Sequence, residues 1–149
     1  MTAPTTLCVS RIQLSATPTA VGMSRAFVRQ MLRTWQLADF TDSAELIVSE
    51  LVTNAVRATG SAEPCPKWQS VTADHVIGVQ LRLLHGSLFI EVWDRGDGRP
   101  AVPEQSDDAE CGRGLFLVRA VSEKWGVHRP DTGGKVVWAK LTPESGSAA

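Results

Sequence analysis

The stretch AELIVSELVTNAVRATG, Ala44 to Gly60, places Leu46, Ile47, Val48, Leu51, Val52, Ala55 and Val56 at the three- and four-residue spacing of a helix. These apolar residues cover most of the helix circumference, so the helix belongs inside the protein. Thr41 or Asp42 opens it, Ala58 ends it and Gly60 is its stop signal. Glu50 and Asn54 interrupt the apolar surface four residues apart, so their side chains stack on one stripe. A polar stripe walled by apolar residues is costly unless something satisfies it. Spacing alone leaves two readings open: an exposed polar edge, or a pair kept for chemistry. A carboxylate and an amide oxygen are hard ligands suited to a Mg²⁺ that retains several waters, and either could position a water or a hydroxyl.

Upstream, Phe27, Val28, Met31, Leu32 and Trp35 predict an amphipathic helix with Ser24 as its N-cap, and RIQLSA before it alternates like a short strand. Downstream, residues 60–74 hold two prolines and no clean period, which predicts a long loop; Trp68 within it reads as packing over a neighbouring pocket, the other reading being a partner surface. VIGVQLRLLHGSLFIEVWD then alternates through Val79, Leu81 and Leu83, turns at His85-Gly86, and alternates again through Leu88, Ile90 and Val92, as a β-hairpin does. The segment from Arg95 to Gly112 is rich in glycine, proline and acids and predicts a mobile loop. Leu115, Val118, Val121 and Trp125 predict a third helix ending at Gly126, and GVHRP with KVVWAKL a closing hairpin through DTGG. The order helix, helix, hairpin, helix, hairpin implies an α+β protein: a two-layer sandwich with helices on one face of a mixed, mostly antiparallel sheet.

The 149 residues suit one domain, with an ordered core of about residues 7–142 and a frayed tail over 143–149. Fifteen Lys and Arg against sixteen acids are scattered along the chain, which disfavours direct nucleic-acid binding through the phosphate backbone. No apolar run approaches the roughly 18 residues of a membrane span. The first residues lack the basic and apolar regions of a secretory signal, so a cytoplasmic location is expected. Cys8, Cys65 and Cys111 are odd in number and far apart, as are His75, His85 and His128, and neither set suggests a disulfide framework or a zinc site.

Two further clusters could carry chemistry. In VWDRGDGRP, Asp94 comes at a strand end before Gly96 and Gly98, so the backbone can bend and a flat ligand can approach; a plain strand-ending turn explains the same residues. In CGRGLFLV, Gly112 and Gly114 open a helix and could offer backbone N–H groups to a phosphate, although glycine before a helix is common.

Taken together and in this order, the three clusters resemble the GHKL ATPase superfamily, which includes gyrase, histidine kinases and bacterial anti-sigma-factor kinases. ELVTNA is similar to its N box, DRGDG to its first glycine box and GRGL to its second, over roughly Ser24 to Leu141. Small size, the wording of the N box and the closing GGKVVWAKL most resemble the anti-sigma-factor serine/threonine kinase branch. The resemblance implies the Bergerat-type ATP-binding fold, with ATP and Mg²⁺ as cofactors. It makes Asn54 the Mg²⁺ ligand and Glu50 the catalytic residue that orients or deprotonates the attacking hydroxyl. Asp94 would accept from the adenine amino group, Gly98 would let the base approach, Gly96 belongs to the same ATP-binding set, and Gly112, Arg113, Gly114 and Leu115 would wrap the phosphates. Residues 99–111 become an ATP lid. Implied partners are a sigma factor and an anti-sigma-factor antagonist protein, with a homodimer left open and no membrane or nucleic acid. Positioning and charge neutralisation do most of the work of phosphoryl transfer, so this small set of groups suffices.

One departure bears on affinity. Where the branch has a threonine in the last strand, supporting the adenine-binding aspartate through a water, the sequence reading puts Val136, which cannot donate a hydrogen bond. The second reading of the chain is a nucleotide-gated binding module that keeps the fold but transfers no phosphate, its lid reporting ATP or ADP to a partner. A histidine kinase is a weaker third, since no upstream dimerisation helix with a phosphorylatable histidine is seen, and the transducer domains of DNA-handling relatives are not seen either.

Overall fold

The computed structural model describes residues 7–60, 76–96 and 116–143. The first element is a strand, β1 (Cys8–Ser15), longer than RIQLSA suggested. Helix α1 (Thr19–Thr34) follows, then a short 3₁₀ turn (Ala38–Phe40) and helix α2 (Thr41–Gly60). Strands β2 (Val76–Leu84) and β3 (Ser87–Asp94) form the expected hairpin. Residues 116–121 are helical, and β4 (Lys124–His128) and β5 (Lys135–Leu141) close the described chain.

The strands form one sheet in the order β1-β2-β3-β5-β4, with every pairing antiparallel among the described residues. The β2–β3 turn has His85 and Gly86 at φ of 52° and 80°, the two positive values that match the twist of a two-residue hairpin. One sheet face is apolar: Ile77, Val79 and Leu81 of β2, Leu88, Ile90 and Val92 of β3, and Val137, Ala139 and Leu141 of β5 are buried. Helix α2 lies on this face, chiefly over β3, and buries Ala44, Ile47, Val48, Leu51, Val52, Ala55 and Val56 against it. Helix α1 packs along α2, with Val28 and Leu32 buried. The result is a two-layer α/β sandwich, as its alternations predicted.

Other boundaries also differ from expectation, and α2 runs on to Gly60. Helix α1 begins at Thr19 behind Pro18, whose φ of −55° already suits a first turn, so Ser24 lies inside the helix. Its hydroxyl donates to the Ala20 carbonyl at 2.7 Å and is buried, a helix-interior bond that satisfies the group without capping anything. Trp125 and Gly126 belong to β4, not to the end of the third helix. Gly126 pairs with Trp138, and a Cβ there would come within 2.8 Å of the Trp138 indole; the glycine makes room for a ring on the neighbouring strand.

Candidate nucleotide site

At about 100° per residue, Glu50, Asn54 and Arg57 fall within about 60° of one another on α2. Glu45 lies on the other flank, where it accepts from Arg29 of α1 at 2.7 Å. The Glu50–Asn54 stripe thus borders the helix surface that α1 leaves uncovered. Both residues are half-buried. Burial pushes the Glu50 carboxyl above the usual carboxylate range, and the Arg57 charge pulls it partly back. The sequence reading missed Arg57, whose Nε is buried. Its position seven residues after Glu50 and three after Asn54, on the same stripe, was the available signal.

Asp94 is the last residue of β3 and points to the helix side, in phase with Leu88, Ile90 and Val92. Its side chain is buried, and its two oxygens differ. Oδ1 accepts from the Gly96 amide at 2.8 Å and from Lys135 Nζ at 2.9 Å. Oδ2 is buried and has no hydrogen-bond partner among the described residues. Burial raises the Asp94 carboxyl, while the Lys135 ammonium, the Gly96 amide and the Arg129 charge pull against that shift.

Gly96 joins the two clusters. A Cβ there would lie 3.0 Å from both the Ala58 carbonyl oxygen and Asp94 Oδ1, so the glycine allows the chain after β3 to rest against the last turn of α2. Asn54 is one helical turn, about 6 Å, back along α2 from Ala58, and Glu50 about 12 Å. Back along α2 from the turn beside Asp94, Asn54 therefore comes first and Glu50 next. Gly134, at φ +79°, holds the start of β5 on the other side: a Cβ there would meet the Asp94 carbonyl oxygen at 2.5 Å.

The expectation for Val136 is corrected. The sheet register pairs Val136 with Trp93 and Lys135 with Asp94. Val136 faces away from the helices, where it lines a groove of about 790 Å³ with Trp93 and Trp138. The residue that meets Asp94 is Lys135, a strong donor. Gly98, Gly112, Arg113, Gly114, Leu115 and Trp68 lie outside the described residues, as do the lid and the loop over residues 61–75. No group of three or more His, Cys, Asp or Glu among the described residues could hold a metal, and no described helix is long and apolar enough to cross a membrane.

A buried acceptor with no donor among the described residues, a glycine beside it, and an amide and a carboxylate farther along one helix can together hold a flat base at one end and an anionic tail with its cation at the other. Residues 14–141 match the family described as histidine kinase-like ATPase domain. No curated protein matches the chain.

Proposed function

Because the chain belongs to the histidine kinase-like ATPase domain family, and is thereby an ATP-binding module, we propose that it is an anti-sigma factor with Mg-ATP-dependent serine/threonine kinase activity towards an antagonist protein. The observation that carries this reading is the succession from Asp94 through Asn54 to Glu50. The described residues fit the nucleotide at the base end: Asp94 Oδ2 is a buried acceptor that needs a donor, which the 6-amino group of adenine supplies. They fit Mg²⁺ through Asn54, one hard oxygen at a half-buried position, a small share of a shell that phosphate oxygens and water can complete. When bound, the nucleotide contributes the transferable phosphoryl group and the metal neutralises its charge.

The chain's own residues would do the rest. Asp94 would fix the base, Gly96 would keep the approach open, and Asn54 would hold the cation one turn along α2. Glu50, another turn away, would orient the serine or threonine hydroxyl of the partner and take its proton. A carboxylate held above its ordinary range by burial is a better base than a solvent-exposed one. A pure nucleotide sensor has little use for that carboxylate, because an anion beside the terminal phosphate repels the ligand unless it serves an incoming hydroxyl. The nucleotide-gated module is the second reading, and transfer decides between the two. Glu50→Ala should bind ATP as wild type does and fail to label a matched antagonist with radioactive γ-phosphate. Wild type that binds both ATP and antagonist yet transfers no label at any magnesium concentration would leave the module reading.

A further inference from the structure

Lys135 occupies a position where a core residue belongs. It continues the inward phase of Val137, Ala139 and Leu141, and its side chain is as buried as theirs. Placing an ammonium there carries a large desolvation cost unless it is paired. Asp94 provides the charge and accepts one hydrogen bond, at 2.9 Å. An ammonium has three donors, and Asp94 is the only partner Lys135 has among the described residues. The pair thus presents, side by side at the end of β3, an acceptor with no donor among the described residues and a cation with protons to give.

We infer that Lys135 determines base specificity: its ammonium donates to a ring nitrogen flanking the 6-amino group of adenine, while Asp94 Oδ2 accepts from that amino group. The inference rests on the ATP-binding reading above and adds a second, chain-specific contact to it. On adenine, the 6-amino donor has an acceptor nitrogen on either side, N1 and N7, so a neighbouring donor and acceptor on the protein match it in one plane. Guanine in the same pose turns its O6 towards the carboxylate and, at the N1 edge, a proton towards the ammonium. Adjacent like groups then face each other, and a buried site cannot relieve them with water.

The test is calorimetric titration of the full chain, with Mg²⁺, by ATP, 1-deaza-ATP, 7-deaza-ATP and purine riboside triphosphate, which lacks the 6-amino group. Purine riboside triphosphate and one of the two deaza analogues should each bind about tenfold or more weakly than ATP, as expected for loss of a hydrogen bond to a charged group. The deaza analogue that loses affinity identifies the edge read. In Lys135→Met the deaza penalty should shrink to less than about twofold while the 6-amino penalty persists. Even if that variant does not fold, the wild-type series can overturn the inference. Both deaza analogues binding as ATP does, with the 6-amino penalty intact, would overturn the role of Lys135 and leave the ATP reading standing. A deaza penalty unchanged in Lys135→Met would assign it to another group. No binding of ATP to wild type would overturn both.

Discussion

Lys135 Nζ and Asp94 Oδ1 lie 2.9 Å apart in the protein interior, opposite one another in the β3–β5 register. Because Oδ1 also takes the Gly96 amide, one oxygen of the carboxylate is fully engaged and the other is left for something else. The pair fixes the carboxylate's orientation without consuming its second acceptor.

Breaking this pair from one side should be far costlier than removing it whole. Lys135→Met leaves a buried carboxylate without its cation and should lower unfolding free energy by ~3–5 kcal/mol, whereas Lys135→Met combined with Asp94→Leu should recover most of that loss. Urea denaturation of the wild type, both single variants and the double variant measures the coupling. Additive effects would mean that the two charges do not depend on each other.

Much of this arrangement was legible in the sequence. The apolar period of Ala44–Val56 placed α2, and His85-Gly86 between two alternating runs placed the β2–β3 turn, because local pattern and turn chemistry agree there. Glu50 and Asn54 were singled out as candidates by their spacing, and Asp94 by its place at a strand end. Lys135 was not found, because both faces of KVVWAKL carry apolar residues and alternation alone cannot say whether Val136 or Val137 looks inward. Only pairing with β3 settles the phase. Ser24 misled for a related reason: a serine that bonds back to the preceding turn looks, in one dimension, like a cap.

Asn54 should make nucleotide affinity depend on magnesium. Titrating ATP into wild type and Asn54→Ala, each with and without Mg²⁺, should show a gain on adding the metal in wild type that falls several-fold or more in the variant, since a lost metal ligand is not replaced by water without cost. Equal affinity in all four titrations would remove Asn54 from the site.

The raised carboxyl of Glu50 implies a pH-dependent stability. A group whose folded pKa lies above its unfolded value stabilises the fold fully below the unfolded value, and that contribution is lost as pH rises through the folded value. Burial thus disfavours the charged form of this carboxyl in the nucleotide-free wild type. Glu50→Gln should melt higher than wild type at pH 7, and the difference should close as the pH is lowered past the ordinary carboxylate range. A variant that melts lower than wild type at pH 7 would mean that attraction to Arg57 outweighs burial.

Base selectivity tests the central claim most directly, because it needs no variant and no partner protein. Calorimetric titration of the wild-type chain with ATP and with GTP, in the same magnesium buffer, compares a base that offers a donor to Asp94 Oδ2 with one that offers an oxygen to it. ATP should bind about tenfold or more tightly than GTP, the scale of leaving one buried charged acceptor facing another acceptor. GTP binding as tightly as ATP would contradict the assignment of Asp94 as the adenine acceptor, and failure of either nucleotide to bind would contradict the site itself.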